Sequence, residues 1–92
     1  MKLWIDDVRP APSGYIWIQN IENAKAAIRS YERNMTDDNI IIDLGYNGGI
    51  LDWLKTENIV DTGYSFHIHS MNSVVIQNMK AIIQRNEWRE IR

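Results

Sequence analysis

Three short apolar runs and one mixed stretch, each followed by polar residues, punctuate the chain. Leu3-Trp4-Ile5 stops at Asp6-Asp7, Tyr15-Ile16-Trp17-Ile18 stops at Gln19-Asn20, Ile40-Ile41-Ile42 stops at Asp43, and Tyr64 to Ile68 runs into His69-Ser70. Consecutive apolar residues, as in the first and third runs, predict strands buried on both faces. Between the strands the period changes. Ile21, Ala24, Ala27, Ile28 and Tyr31 recur at helical spacing and predict an amphipathic helix over about Ile21 to Arg33, with Asn20 as its N-cap. A short helix is expected around Leu51, Trp53 and Leu54, and a third over about Ser73 to Arg85, carrying Val74, Val75, Ile76, Met79, Ile82 and Ile83.

The connections are equally legible. Pro10, Pro12 and Gly14 mark a turn-rich loop, Thr36 to Asn39 a turn, and Gly45, Gly48 and Gly49 a flexible loop. The tail from Trp88 to Arg92 carries no clear pattern. Strands alternating with helices predict βαβ units, a mostly parallel sheet and right-handed crossovers.

Composition narrows this picture only a little. At 92 residues the chain is read as one domain over 1–92, and its net charge of −2 gives no general attraction to nucleic acid. The absence of cysteine excludes disulfides and thiolate metal sites. Met1-Lys2 followed by a short apolar stretch and two aspartates does not read as a signal peptide, and no apolar run reaches membrane-spanning length. A cytoplasmic protein with no membrane association is expected.

In open α/β sheets, ligands bind outside the carboxyl ends of the strands, where strand order reverses. With the first strand central, that rule gathers Asp6, Asp7, Asp43, His69 and Ser70 at one crevice. Three carboxylates there repel one another unless a cation joins them, and an oxygen-only set completed by water is how Mg²⁺ is usually held. Asp6, Asp7 and Asp43 are therefore the candidate Mg²⁺ ligands. Asp43 and His69 are the candidate catalytic pair, the imidazole acting as proton donor or acceptor. Arg9 in a forked geometry and Ser70 are candidates for orienting a phosphate, and Trp17 is expected either in the core or flooring the pocket.

Plainer roles account for several neighbours. An Asp-Asp pair after a strand is often a turn or cap. His67 is expected to face away from His69 and to serve in packing or at the surface. Trp4 and Trp53 are most simply core, and Asp52 and Glu57 solvated charges. The run Val74 to Ile76 is wider than a core stripe requires, which leaves part of it for a protein partner or a second copy of the chain.

The stretches "LWIDDVRPAPSGYIWI", "IIIDLG" and "HSMNSVVIQNM" resemble the cyclic-phosphate processing receiver domains, relatives of the receivers of two-component signalling. The resemblance spans Lys2 to about Met79. It implies an α/β, flavodoxin-like three-layer sandwich with strand order 2-1-3-4(-5), truncated at the carboxyl end. It also implies acidic metal-binding residues at Asp6, Asp7 and Asp43, with His69, Ser70 and Asn72 in the same pocket. The chain departs from the family at two places: an Asp-His-Asp-Leu segment is reduced to Asp43-Leu44-Gly45, and an expected glycine is Val75. It departs from ordinary two-component receivers in having no lysine beyond Lys80.

Two function classes follow. One is a Mg²⁺-binding acidic pocket that binds and processes a cyclic-phosphate or nucleotide ligand by phosphodiesterase-type chemistry. The other is a catalytically eroded receiver that docks on a protein, for instance a small phage-type inhibitor of a host factor.

Overall fold

A computed structural model describes residues 1–34, 39–46 and 49–91. Thr36, Asp37 and Asp38 of the expected turn, Gly48 of the glycine loop and Arg92 of the tail lie outside the described residues. In chain order the elements are β1 (Lys2–Ile5), β2 (Ile16–Ile18), α1 (Ile21–Asn34), β3 (Ile40–Leu44), α2 (Ile50–Thr56), β4 (Tyr64–Ile68) and α3 (Ser73–Arg85). The four strands form one sheet in the order β2-β1-β3-β4, every pair parallel. This is the expected α/β, flavodoxin-like order.

The expected fifth position is occupied in reduced form. Beyond α3 the chain returns along the outer edge of β4, where Phe66 N–H donates to Arg89 O at 2.8 Å and Ile91 N–H donates to Phe66 O at 2.7 Å. Phe66 and Glu90 form a single parallel bridge there, and Trp88 stacks on the Phe66 ring.

Register divides the strand residues between two faces. Leu3, Ile5, Ile40, Ile42, Leu44, Tyr64 and Phe66 point one way and are almost completely buried, together with Ala24, Ile28, Leu51, Leu54, Met79 and Ile83 from the helices. Each buried Leu, Ile, Phe or Met side chain among them contributes about 1.5–3 kcal/mol by leaving water. The local signals that begin the helices act as expected: Asn20 Oδ1 accepts from Asn23 N–H at 2.9 Å, and Asn72 Oδ1 accepts from Val74 and Val75 N–H at 3.0 and 3.1 Å.

The other face differs from a three-layer sandwich. Right-handed crossovers that step the same way across a sheet lie on the same side of it. The connections β2 to β3 and β3 to β4 step one way, and α3 continues the direction; accordingly α1 packs on α2 and α2 on α3. The β1 to β2 connection steps the opposite way and so crosses the opposite face. It is only residues 6–15, with Pro10, Pro12 and Gly14, and it forms a loop without helix. That face therefore carries Trp17, Trp4, Asp43 and His67 side by side in register, under a loop in place of a third layer. Among the described residues no helix is long and apolar enough to cross a membrane.

Candidate functional site

Two of the acidic side chains sit low in the sheet edge and are buried, Asp6 just past β1 and Asp43 inside β3. Between them stands the imidazole of His69. Its Nδ1 lies 2.8 Å from Asp43 Oδ1 and its Nε2 lies 2.9 Å from Asp6 Oδ2. A carboxylate only accepts, so a ring set against two of them meets both by donating from both nitrogens. The indole of Trp4 lies flat against this ring, with centroids 3.6 Å apart and planes 8° apart, a geometry that favours a cationic imidazole. Trp4 is thus a platform for His69, half-buried on the loop-covered face, and no part of the helix-side core expected for it.

His67 corrects a second expectation. Residues two apart on a strand share a face, because the side-chain period is two. His67 accordingly lies beside His69, with its Nδ1 2.9 Å from the same Asp43 Oδ1. Its side chain is 42% exposed, and its Nε2 meets no carboxylate among the described residues. A histidine anchored through Nδ1 with Nε2 turned outward has the geometry of a proton-transfer group. Of the two rings, His67 has it and His69 does not. Sequence reading missed this residue by a parity error alone.

Backbone donors complete the cluster. Asp6 Oδ1 accepts from Val8 N–H at 2.8 Å and Arg9 N–H at 2.7 Å, which winds the Asp6-Asp7-Val8-Arg9 turn around the carboxylate. Burial alone would raise the Asp6 carboxyl. The Arg9 and Val8 amides and the His69 ring outweigh it, and hold Asp6 below the ordinary carboxylate value. Trp17 donates its indole N–H to Asp6 O at 2.7 Å, and Trp4 donates to Arg9 O at 3.0 Å. Trp17 therefore anchors the loop and stays 39% exposed, instead of flooring a pocket. Tyr46, which the sequence did not single out, feels the charges of the two adjacent aspartates. Burial and the charges of Asp7 and Asp6 push its hydroxyl up, and it donates to Gln19 O at 3.0 Å.

Above the cluster opens a mouth of about 330 Å³ lined by Asp6, Asp7, Val8, Arg9, Gly45, Ser70, Met71 and Asn72. Five expected residues meet here: Asp6, Asp7, Arg9, Ser70 and Asn72. Asp43 and His69 lie beneath it and communicate with it through Asp6. Ser70 Oγ accepts from Asn72 N–H at 3.2 Å, so both residues shape the start of α3 while facing the mouth. A larger cavity, of about 720 Å³ beside Leu54, Tyr64 and Trp88, lies at the opposite end of the sheet and contains none of these groups.

The carboxylates as placed do not fit a shared Mg²⁺. Such an ion needs near-octahedral oxygens at about 2.0–2.1 Å. Asp7 is exposed, Asp6 and Asp43 are parted by an imidazole, and no group of three acidic or histidine side chains among the described residues can hold a metal.

Gly45 is why the cluster closes so tightly. A Cβ there would lie 2.4 Å from Asp6 Oδ2 and 2.5 Å from His69 Nε2. Gly45→Ala must push apart the Asp6–His69 hydrogen bond and should destabilise the fold by about 1–3 kcal/mol, read as a lower urea midpoint. An unchanged midpoint would show that the contact is not tight. A second expectation concerns acid. The Asp6 carboxyl is depressed in the folded chain relative to its ordinary 3.8, so its contribution is complete above that value and is lost as pH falls through the folded value. The stability gap between wild type and Asp6→Asn should therefore narrow below about pH 4 in parallel denaturation series. A gap independent of pH contradicts the assignment.

No curated protein and no solved structure matches the chain. A family model described as the cyclic-phosphate processing receiver domain matches residues 1–85, which include every element and every residue of the mouth and the cluster beneath it. The chain belongs to the cyclic-phosphate processing receiver domain family.

Proposed function

We propose that the mouth at the carboxyl edge binds a phosphate-bearing small molecule of the cyclic-phosphate or nucleotide class. The observation that carries the reading is the convergence of Arg9, Ser70 and the amino end of α3 on one opening directly above a charge-compensated cluster. Pairing of Asp6 with His69 removes much of the repulsion that a bare carboxylate would exert on an anion. The Arg9 guanidinium can take two phosphate oxygens at once, the Ser70 hydroxyl can donate to a third, and a helix amino terminus favours negative charge.

If the ligand is processed as well as bound, the proton passes through the Asp43–His67 pair. The ring of His69 is committed at both nitrogens and acts as a positioning group. Phosphodiesterase-type catalysis and the metal it was expected to use are not needed for binding.

One observation favours docking on a protein as a second reading. Val8, Met71 and Val74 are 75%, 80% and 66% exposed, and the first two border the mouth. Single exposed apolar side chains are ordinary; a set of them beside a polar opening suits a contact surface.

Calorimetric titration with 2′,3′- and 3′,5′-cyclic nucleoside monophosphates, against the parent nucleosides, tests the first reading. Cyclic phosphates should bind, nucleosides should not, and Arg9→Ala should weaken binding roughly tenfold or more, the loss of a charged hydrogen bond. Equal binding of nucleosides, or no binding of any phosphate, overturns it and leaves the docking surface as the better account.

A further inference from the structure

Two buried carboxylates at the carboxyl edge of a parallel sheet would ordinarily be joined by a divalent cation. In this chain the ring of His69 lies in that position. We propose that His69 takes the place of the cation for good: the Asp6–His69–Asp43 bridge is an internal substitute for a metal, and this acidic pocket does not take up Mg²⁺.

The argument rests on how the oxygen atoms are spent and on the space around them. Asp6 Oδ1 already accepts two backbone N–H groups, and Asp43 Oδ1 already accepts from both His67 and His69. Each of these oxygens has two lone pairs, and each pair is in use. Asp6 Oδ2 is engaged by His69 Nε2. A cation entering between the two carboxylates would have to displace a ring that is hydrogen-bonded to both of them.

Nor is there room beside the ring. Gly45 approaches so closely that even a methyl group would meet Asp6 Oδ2 at 2.4 Å and His69 Nε2 at 2.5 Å, whereas Mg²⁺ usually keeps several of its waters. One flat side of the imidazole is sealed by Trp4. Asp7 is left as the exposed acid of the mouth, and a single exposed carboxylate without a bound phosphate is a weak Mg²⁺ ligand. Asp43 and Leu44 close β3 and Gly45 follows directly, and the glycine is what allows the ring to reach across.

The test needs no phosphate ligand, so its outcome is separate from the binding titration above. Full-length wild-type chain is titrated with MgCl₂ by calorimetry, and its thermal midpoint is compared in Mg²⁺ and in EDTA. The proposal expects no saturable heat and midpoints that agree within about one degree. A cation held at a hundredfold its Kd would raise the midpoint by more than about ten degrees. One-to-one Mg²⁺ binding with sub-millimolar Kd, or a rise of that kind, overturns the proposal. The variant His69→Gln removes the ring and leaves Asp6 and Asp43 facing each other. It should become Mg²⁺-dependent, with a higher midpoint in Mg²⁺ than in EDTA. A folded His69→Gln that stays indifferent to Mg²⁺ also overturns the proposal. If the variant does not fold under either condition, the wild-type titration decides.

Discussion

One hydrogen-bonded bridge holds the upper half of this sheet together: Asp6, His69 and Asp43, from three different strand ends, joined through a single imidazole. Two carboxylates on either side of one ring repel each other, and a group that donates to both offsets that repulsion. Everything at the mouth is built outward from that bridge. The Asp6 carboxylate can stay buried and ionised, so it can organise the Val8 and Arg9 amides into a turn, and the turn places Arg9 where an anion could meet it. Trp4 and Trp17 brace the same turn from the sheet side by donating to its carbonyls. Removal of His69 would leave Asp6 with only the Val8 and Arg9 amides and Asp43 with only His67, and the two buried carboxylates with nothing joining them.

The helix-free face explains why such a cluster is possible at all. Where a receiver of three layers would press a helix against β1 and β3, residues 6–15 lay only a loop, and Tyr15 packs edge-on against Trp4. Polar residues in the middle of a sheet are tolerated there because each finds a partner: no buried side-chain nitrogen or oxygen among the described residues lacks one. The same openness lets His67 hold Asp43 with one nitrogen and face outward with the other. The register that pairs Trp4 with Asp43 and Asp43 with His67 is also what brings the His67 ring to the Asp43 carboxylate.

Much of this was legible in the chain. Apolar runs of three to five residues ending in Asp6, Asp43 and His69-Ser70 gave the parallel strands, and the rule for ligands at strand carboxyl ends gathered the mouth before any coordinates. Ser70 and Asn72 were found for the same reason, and their helix-capping geometry agrees with their position. What escaped was anything that depends on which face a residue takes or how close two backbones come. His67 and His69 were expected on opposite faces although a period of two places them together. Trp4 was read as core because an indole after a leucine looks buried, while its actual neighbour is a histidine 65 positions further on. Gly45 looked like loop flexibility; its function is closeness. A cation was inferred from three acids because a sequence shows charges and not the ring that ends up between them. The family model agrees with the fold and says nothing of these contacts.

The most direct measurement is a long-range ¹H–¹⁵N NMR spectrum of the histidine side chains, with assignments fixed by single substitution. The account predicts that both ring nitrogens of His69 carry slowly exchanging protons, each hydrogen-bonded to a carboxylate, while His67 is held through Nδ1 alone. A His69 ring with one bare nitrogen, or with protons that exchange as freely as those of an exposed histidine, would contradict the bridge and the site built on it.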